Sequence, residues 1–489
     1  MVEPIHRNTN NTVNCLSLQT KELAKDFLKR MGEQCGEDRA IRKFTRSLQN
    51  GRTSVHYEKI DYVYLPSHYS QQKLLMMYNH TNPCNTIKAR STFVSLWHND
   101  ENLKKIIIRT PSKNECDDCT SFRISMVDAS VRVNSELNMQ QASDSEESIQ
   151  QIHDRLSTHI HHYRDLRANY ENDIKRCKEG PPDDLTVICF DYAQNVPLPH
   201  DPRQPSAVYF LSLLNVYQFG IVHERWGIQT HFIYTEGKSG KGSNEVSTMV
   251  IDYLDRNLIG TKHLHLWADN CGGQNKNCTV IQLMAYLVIF GTTTGHIFES
   301  IEYKFQIKGH TRNSVDRGFG QITNAYSRNE VWSPSEYKKL IDNINSNICV
   351  NFENETFFDW SSFLTQLFVK PVGIQKYQMF RFERSKPFIM MCRANSTHQW
   401  IEINLKNPKF NMDTIKFLEP LPTKGLNIEK QNDLYDKVRK YVPAAFKDEI
   451  CPKPNTRMIL EVKDIKNKRR KRAAEEKKSK HKSTSILIR

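Results

Sequence analysis

No stretch of this 489-residue chain approaches 18 uninterrupted apolar residues, so the sequence offers no membrane-spanning helix. Residues Met1 to Asn14 lack the apolar core of a secretory leader. The 12 cysteines are scattered, and without such a leader they read as reduced thiols with one pair suited to a metal, not as a disulfide framework. The body of the chain also lacks a strong charge of either sign. The net charge is +14, but from Lys463 to Lys482 there are 11 Lys/Arg against 3 Asp/Glu, a net +8 in one tail. A tail of that density is drawn to polyanions, and Lys468-Arg469-Arg470-Lys471-Arg472 within it reads as a nuclear import signal or a nucleic-acid tether.

The length calls for two to four domains. Residues 1–15 read as disordered. Residues 16–110 read as helical, and two short helices split by Asn82-Pro83 fit either a helix-turn-helix or a plain helical bundle. Residues 111–180 hold Cys116 and Cys119, an acidic serine-rich linker at 143–148, and a long charged helix. Gly180-Pro181-Pro182 stops that helix, because proline cannot continue it.

The clearest pattern runs over 183–330. Thr186 to Phe190 is an apolar run of strand length ending at Asp191, and His263 to Ala268 is another, ending at Asp269. Two β-rich runs flank Arg225-Trp226-Gly227 as a hairpin. Helices are expected from Ser243, from about Lys276 to Phe290, and from Asp316, with a strand over 300–307. The predicted fold class is α/β, a ribonuclease H-like mixed sheet core in the order βββαβαβα, with a helical N-terminal region and a C-terminal appendage. Residues 331–460 read as that α+β appendage, and 461–489 as the basic tail.

In that order right-handed crossovers lay the first and fourth strands side by side. Asp191 and Asp269 would then meet at the carboxyl edge, where open α/β sheets bind ligands. Phosphoryl transfer by two Mg²⁺ or Mn²⁺ ions needs such converging hard oxygen ligands. Asp316, opening the last helix, is the third candidate, and Glu245, opening the earlier one, the second-rank candidate. The loop Asp269 to Asn277 offers amides to a phosphate or is simply an Asn/Gly-rich turn. His310 is a candidate to support a leaving group or a metal. Cys271 has no base placed beside it and is a poor nucleophile.

The strings CFDYAQNVPLPH (189–200), HLWADNCGGQNKN (265–277) and GHTRNSVDRGFGQI (309–322) together resemble an uncharacterised transposon-derived domain family, widespread in eukaryotic genomes. The resemblance covers about residues 90–450. It implies a ribonuclease H-like fold, a mobile-element origin, and Asp191, Asp269 and Asp316 as the acidic triad, with Asp where many transposases carry Glu. It also implies a Cys-x-x-Cys followed by a helix with His, Arg, Tyr and Asp at set spacing, matched here by Cys116, Cys119, His159, Arg167, Tyr170 and Asp173. Two thiolates with imidazole suit Zn²⁺, so Cys116, Cys119 and His159 are expected to bind zinc, with a fourth ligand such as His162.

Three functions follow: a transposase- or integrase-like nucleotidyltransferase, a domesticated DNA-binding relic without cleavage, or a nuclear scaffold. The first needs Mg²⁺ or Mn²⁺. DNA is the expected partner, the nucleus the expected location, and a homo-oligomer is among the options.

Overall fold

The computed structural model describes residues 16–49, 52–65, 69–108, 116–122, 124–125, 149–257, 259–311 and 313–454. The expected disordered N-terminus, the serine-rich linker and the basic tail lie outside these residues. The chain divides into two compact units, residues 1–162 and 163–489. Among the described residues no helix is long and apolar enough to cross a membrane, and ten cysteines are free thiols.

In the first unit, helices Leu18–Cys35 and Gln71–Thr81 start behind serine caps, and Arg90–Asn99 follows Ala89 without a side-chain cap. Ser17 and Ser70 each accept the amide three residues on, that of Thr20 and of Lys73. Phe27, Leu28, Leu74, Tyr78, Phe93 and Trp97 are buried together as the core.

The helical reading of residues 16–110 fails between the first two helices. Strands β1 (Glu37–Gln49) and β2 (Arg52–Leu65) form an antiparallel hairpin there, and β3 (Ile106–Ile108) joins β2 in parallel. Val55, Tyr57, Ile60, Tyr62, Val63 and Tyr64 crowd β2 with β-branched and aromatic side chains, which favour a pleated ribbon over a helix.

The second unit is built on one mixed α/β sheet. Its strands are β4 (Leu185–Tyr192), β5 (Val196–Leu198), β6 (Leu214–His223), β7 (Ile228–Thr235), β8 (His263–Ala268), β9 (Ser300–Phe305), β10 (Asn347–Asn351), β11 (Met379–Glu383), β12 (Ile389–Arg393) and β13 (Ile401–Asn404). The order across the sheet is β10-β7-β6-β4-β8-β9-β11-β12-β13, with β5 beside β6. The strands β4, β6 and β7 meander antiparallel, while β4, β8 and β9 run parallel. Strands from the expected C-terminal appendage extend this sheet at both edges: β10 pairs with β7 and β11 with β9.

Period-2 alternation sends the two faces to different covers. Ile188, Phe190, Leu264, Leu266, Ile301 and Tyr303 pack under helices Ser243–Arg256, Cys278–Phe290 and Trp360–Leu367. On the other face Val187, Cys189 and Trp267 meet Tyr170 and Cys177 of the long helix Ile149–Glu179. The last helix of the motif region, Val315–Tyr326, adds Ile322 to a neighbouring cluster with Val216 and Ile233.

Candidate active site at the carboxyl edge of the sheet

In the parallel β4–β8 ladder Phe190 pairs with Ala268. One residue further on stand Asp191 and Asp269, on strands spaced about 4.8 Å apart. Both have the parity of Cys189 and Trp267, and both are half-buried. The Asp191 carboxylate accepts the Tyr192 amide at 2.7 Å. Asp269 accepts the Cys271 amide at 3.1 Å and the Asn275 side-chain amide at 2.5 Å. Burial, with the negative charges of Asp269 and Asp316, pushes the Asp191 carboxyl up to about 8.

Asp316 stands exposed in the first turn of helix Val315–Tyr326. Four contacts set the start of that helix. Tyr170 donates to Glu224 at 2.5 Å, Ser314 donates to the other oxygen of Glu224 at 3.0 Å, and the Ser314 amide reaches Tyr170 at 3.2 Å. Gln229 donates to the Val315 carbonyl at 3.1 Å. Gly318 makes the approach feasible: a Cβ there would lie 1.9 Å from Gln229 Oε1. Among the described residues the three aspartates do not bring their oxygens within 4.8 Å of one another; they are coupled through charge.

One cation lies close. Lys241 donates to the Ala193 carbonyl at 3.2 Å and to Asn195 at 3.1 Å, and covers the rings of Tyr192 and Tyr217. Burial lowers its pKa, and the Asp191 charge opposes that shift. Sequence reasoning passed over Lys241; its place between two glycines just before a helix was the available signal. Two oxygens in the loop after β8, those of the Asn270 and Asn275 side chains, are buried without a hydrogen-bond partner. Orphaned oxygens beside paired carboxylates are the donor set that a hard dication takes.

One other expected residue takes a structural role. Glu245 is buried and accepts from Ser239 Oγ at 2.6 Å and from the Gly240 and Gly242 amides at 2.9 Å each. Its oxygens close the turn before the helix, half of a capping box since Gly242 has no side chain, so Glu245 serves as a cap in this structure. The loop from Asp269 is a turn, not a row of free donors: the amides of Gln274, Asn275 and Lys276 all reach the Cys271 carbonyl. Burial and the Asp269 charge raise the Cys271 thiol, against a nucleophilic role. The His310 ring stacks on Tyr163, with centroids 4.0 Å apart and planes at 7°.

Within the first unit, ligand atoms of Cys116, Cys119 and His159 lie within 4.8 Å of one another. His159 Nε2 is 3.4 Å from Cys116 Sγ, and its Nδ1 is 3.8 Å from Asp118. Zinc bonds of about 2.3 Å to sulfur and 2.0–2.1 Å to nitrogen at a tetrahedral angle would put S and N about 3.6 Å apart. A carboxylate behind the ring is the usual support of a metal-bound histidine. His162 is not in this group.

The spacing of Tyr170 and Asp173 has a packing cause. Tyr170 anchors Glu224. Asp173 is buried against His265 at 3.1 Å, Lys304 at 2.7 Å and the Trp267 ring N–H at 2.9 Å. Burial would raise the Asp173 pKa, but the His265 hydrogen bond and the Lys304 charge override it and hold the carboxyl well below the usual range.

Residues 211–398 match a family described as a domain of unknown function (DUF7869). That span runs from just before β6 to β12, taking in Asp269 and Asp316 and starting after Asp191. No curated protein matches the chain.

Proposed function

We propose that the second unit is a ribonuclease H-like nucleotidyltransferase of transposase or integrase type, acting on DNA with Mg²⁺ or Mn²⁺. The observation that carries this reading is the pairing of Asp191 and Asp269 at one edge of parallel β4 and β8. The strand order of β4, β6, β7, β8 and β9 supports this reading, and the three sequence strings that resemble transposon-derived domains fall on the three aspartates. Divalent ions held by Asp191, Asp269 and Asp316 would clamp the attacking and leaving oxygens of a phosphodiester. Lys241 lies where it would meet the phosphate's charge, and its Tyr192 and Tyr217 neighbours hold its ammonium in place.

Separately, Cys116, Cys119 and His159 are the ligands of a structural zinc. The basic tail is a nuclear import signal or a DNA tether.

The test is nicking of supercoiled plasmid by wild-type and Asp191→Asn protein with Mn²⁺. Metal-dependent nicking lost in the variant supports the reading. Equal nicking by both, or DNA binding with no nicking by either, rejects it, and the second outcome favours the domesticated DNA-binding protein.

A further inference from the structure

The helix pair of the first unit has a surface that the proposed chemistry does not use. From Tyr62 to Asn99 the chain holds no Asp or Glu, although 55 of its 489 residues are acidic. The same stretch holds Lys73, Lys88 and Arg90. The nearest following acid, Asp100, is already engaged: it accepts the Asn102 and Leu103 amides and lies 3.2 Å from Lys25.

The acid-free stretch folds into two helices with a fixed joint. Asn79 ties the connection down from both sides, donating to the Ile87 carbonyl at 2.9 Å and accepting its amide at 2.8 Å. The Tyr78 hydroxyl reaches the Asn85 carbonyl at 2.8 Å from inside. Helix Arg90–Asn99 buries Phe93 and Trp97, and Trp97 donates from its ring to the Leu103 and Ile106 carbonyls at 2.9 and 3.0 Å. Arg90, Ser91, Ser95, His98 and Asn99 are exposed. At 100° per residue they share one half of the helix surface, all able to hydrogen-bond and none acidic.

We infer that helix Arg90–Asn99 is a recognition helix that enters the major groove of duplex DNA. Its first half, Arg90, Ser91 and Ser95, reads base edges, and Lys88 meets a backbone phosphate. The surface rests on DNA as the partner named above, but not on cleavage.

Two measurements on the full chain test it. The first is selection from a randomised duplex pool. A basic tail binds phosphates without regard to sequence, so an enriched motif reports the helix. Wild type should enrich a motif, and Arg90→Ala with Ser91→Ala should blur or shift it. The second is anisotropy of a labelled 25-bp duplex between 50 and 200 mM salt. Lys88→Ala with Arg90→Ala should weaken binding about tenfold. It should also lower the slope of log K against log salt by about 0.9, the share of the one phosphate contact at Lys88. Both side chains are exposed, so the melting temperature should hold. An unenriched pool, an unchanged motif in the Arg90/Ser91 variant, or tighter binding of single-stranded RNA than of duplex overturns the inference. Asp191→Asn should enrich the wild-type motif, so a failure of the catalytic reading leaves this result standing, and the reverse.

Discussion

Replacing Asp191 by Asn should make the metal-free protein more stable and blind it to Mg²⁺ or Mn²⁺. An ordinary carboxyl titrates near 3.9, whereas Asp191 is pushed up to about 8 by burial and by Asp269 and Asp316. Between those values the folded chain holds a proton at Asp191 that the unfolded chain has released. Stability therefore falls as pH rises from about 4 to about 8, and levels off above. At 1.36 kcal/mol per pKa unit the full effect at pH 8 is at most ~5 kcal/mol. Water reaches this half-buried carboxylate, so about 1–3 kcal/mol is the working expectation. Asn keeps the shape and removes the slope. A dication present at about 100 times its Kd should stabilise wild type by about 2.7 kcal/mol, and Asp191→Asn by much less. Thermal melts from pH 5 to 9, with and without Mg²⁺ or Mn²⁺, read both effects. Dialysis without strong chelator would leave the proposed zinc in place. The reasoning is refuted if the variant is the less stable chain at pH 8 without metal, or if both chains gain equally from the ion.

Purified protein should carry about one zinc, lost together with stability in Cys116→Ser/Cys119→Ser; His162→Ala and His310→Ala, assayed alongside, test the two other histidines singled out from the sequence. Asp173→Asn should cost about 3–5 kcal/mol, because it strips the buried Lys304 and His265 of a shared partner. The depressed Asp173 carboxyl stabilises the fold above about pH 4 and loses that contribution as pH falls, so the variant's deficit in denaturant melts should shrink in acid. Glu245→Ala should cost about 2–3 kcal/mol by opening the turn before its helix, yet keep the response to Mg²⁺ or Mn²⁺ that a true ligand would abolish. Gly318→Ala should push helix Val315–Tyr326 off Gln229 and destabilise the fold by about 2 kcal/mol or more; an unchanged melting temperature would contradict the packing described.

Local pattern was enough for much of the second unit. Short apolar runs ending in Asp191 and Asp269 became β4 and β8, and the apolar stripe from Val246 to Leu254 became one face of a helix, because a strand or helix that buries one face writes its period into the chain. The Cys116–His159 grouping came from the family resemblance, because the histidine lies 40 residues beyond the Cys-x-x-Cys and no local pattern links them. What the sequence could not decide was set by partners far along the chain. Glu245 carries the same carboxylate as Asp191, and only the closure of the 239–242 turn makes one a cap while the ladder leaves the other at an open edge. The hairpin of β1 and β2 was lost in a stretch bounded by helices, because a two-stranded ribbon depends on its cross-strand partner more than on propensity. Strands expected to form a separate appendage joined the sheet, since β7 and β9 would otherwise leave unpaired edges. Lys241, Gly318 and Asp173 owe their roles to contacts 24 to 131 residues away in sequence, which no local pattern contains.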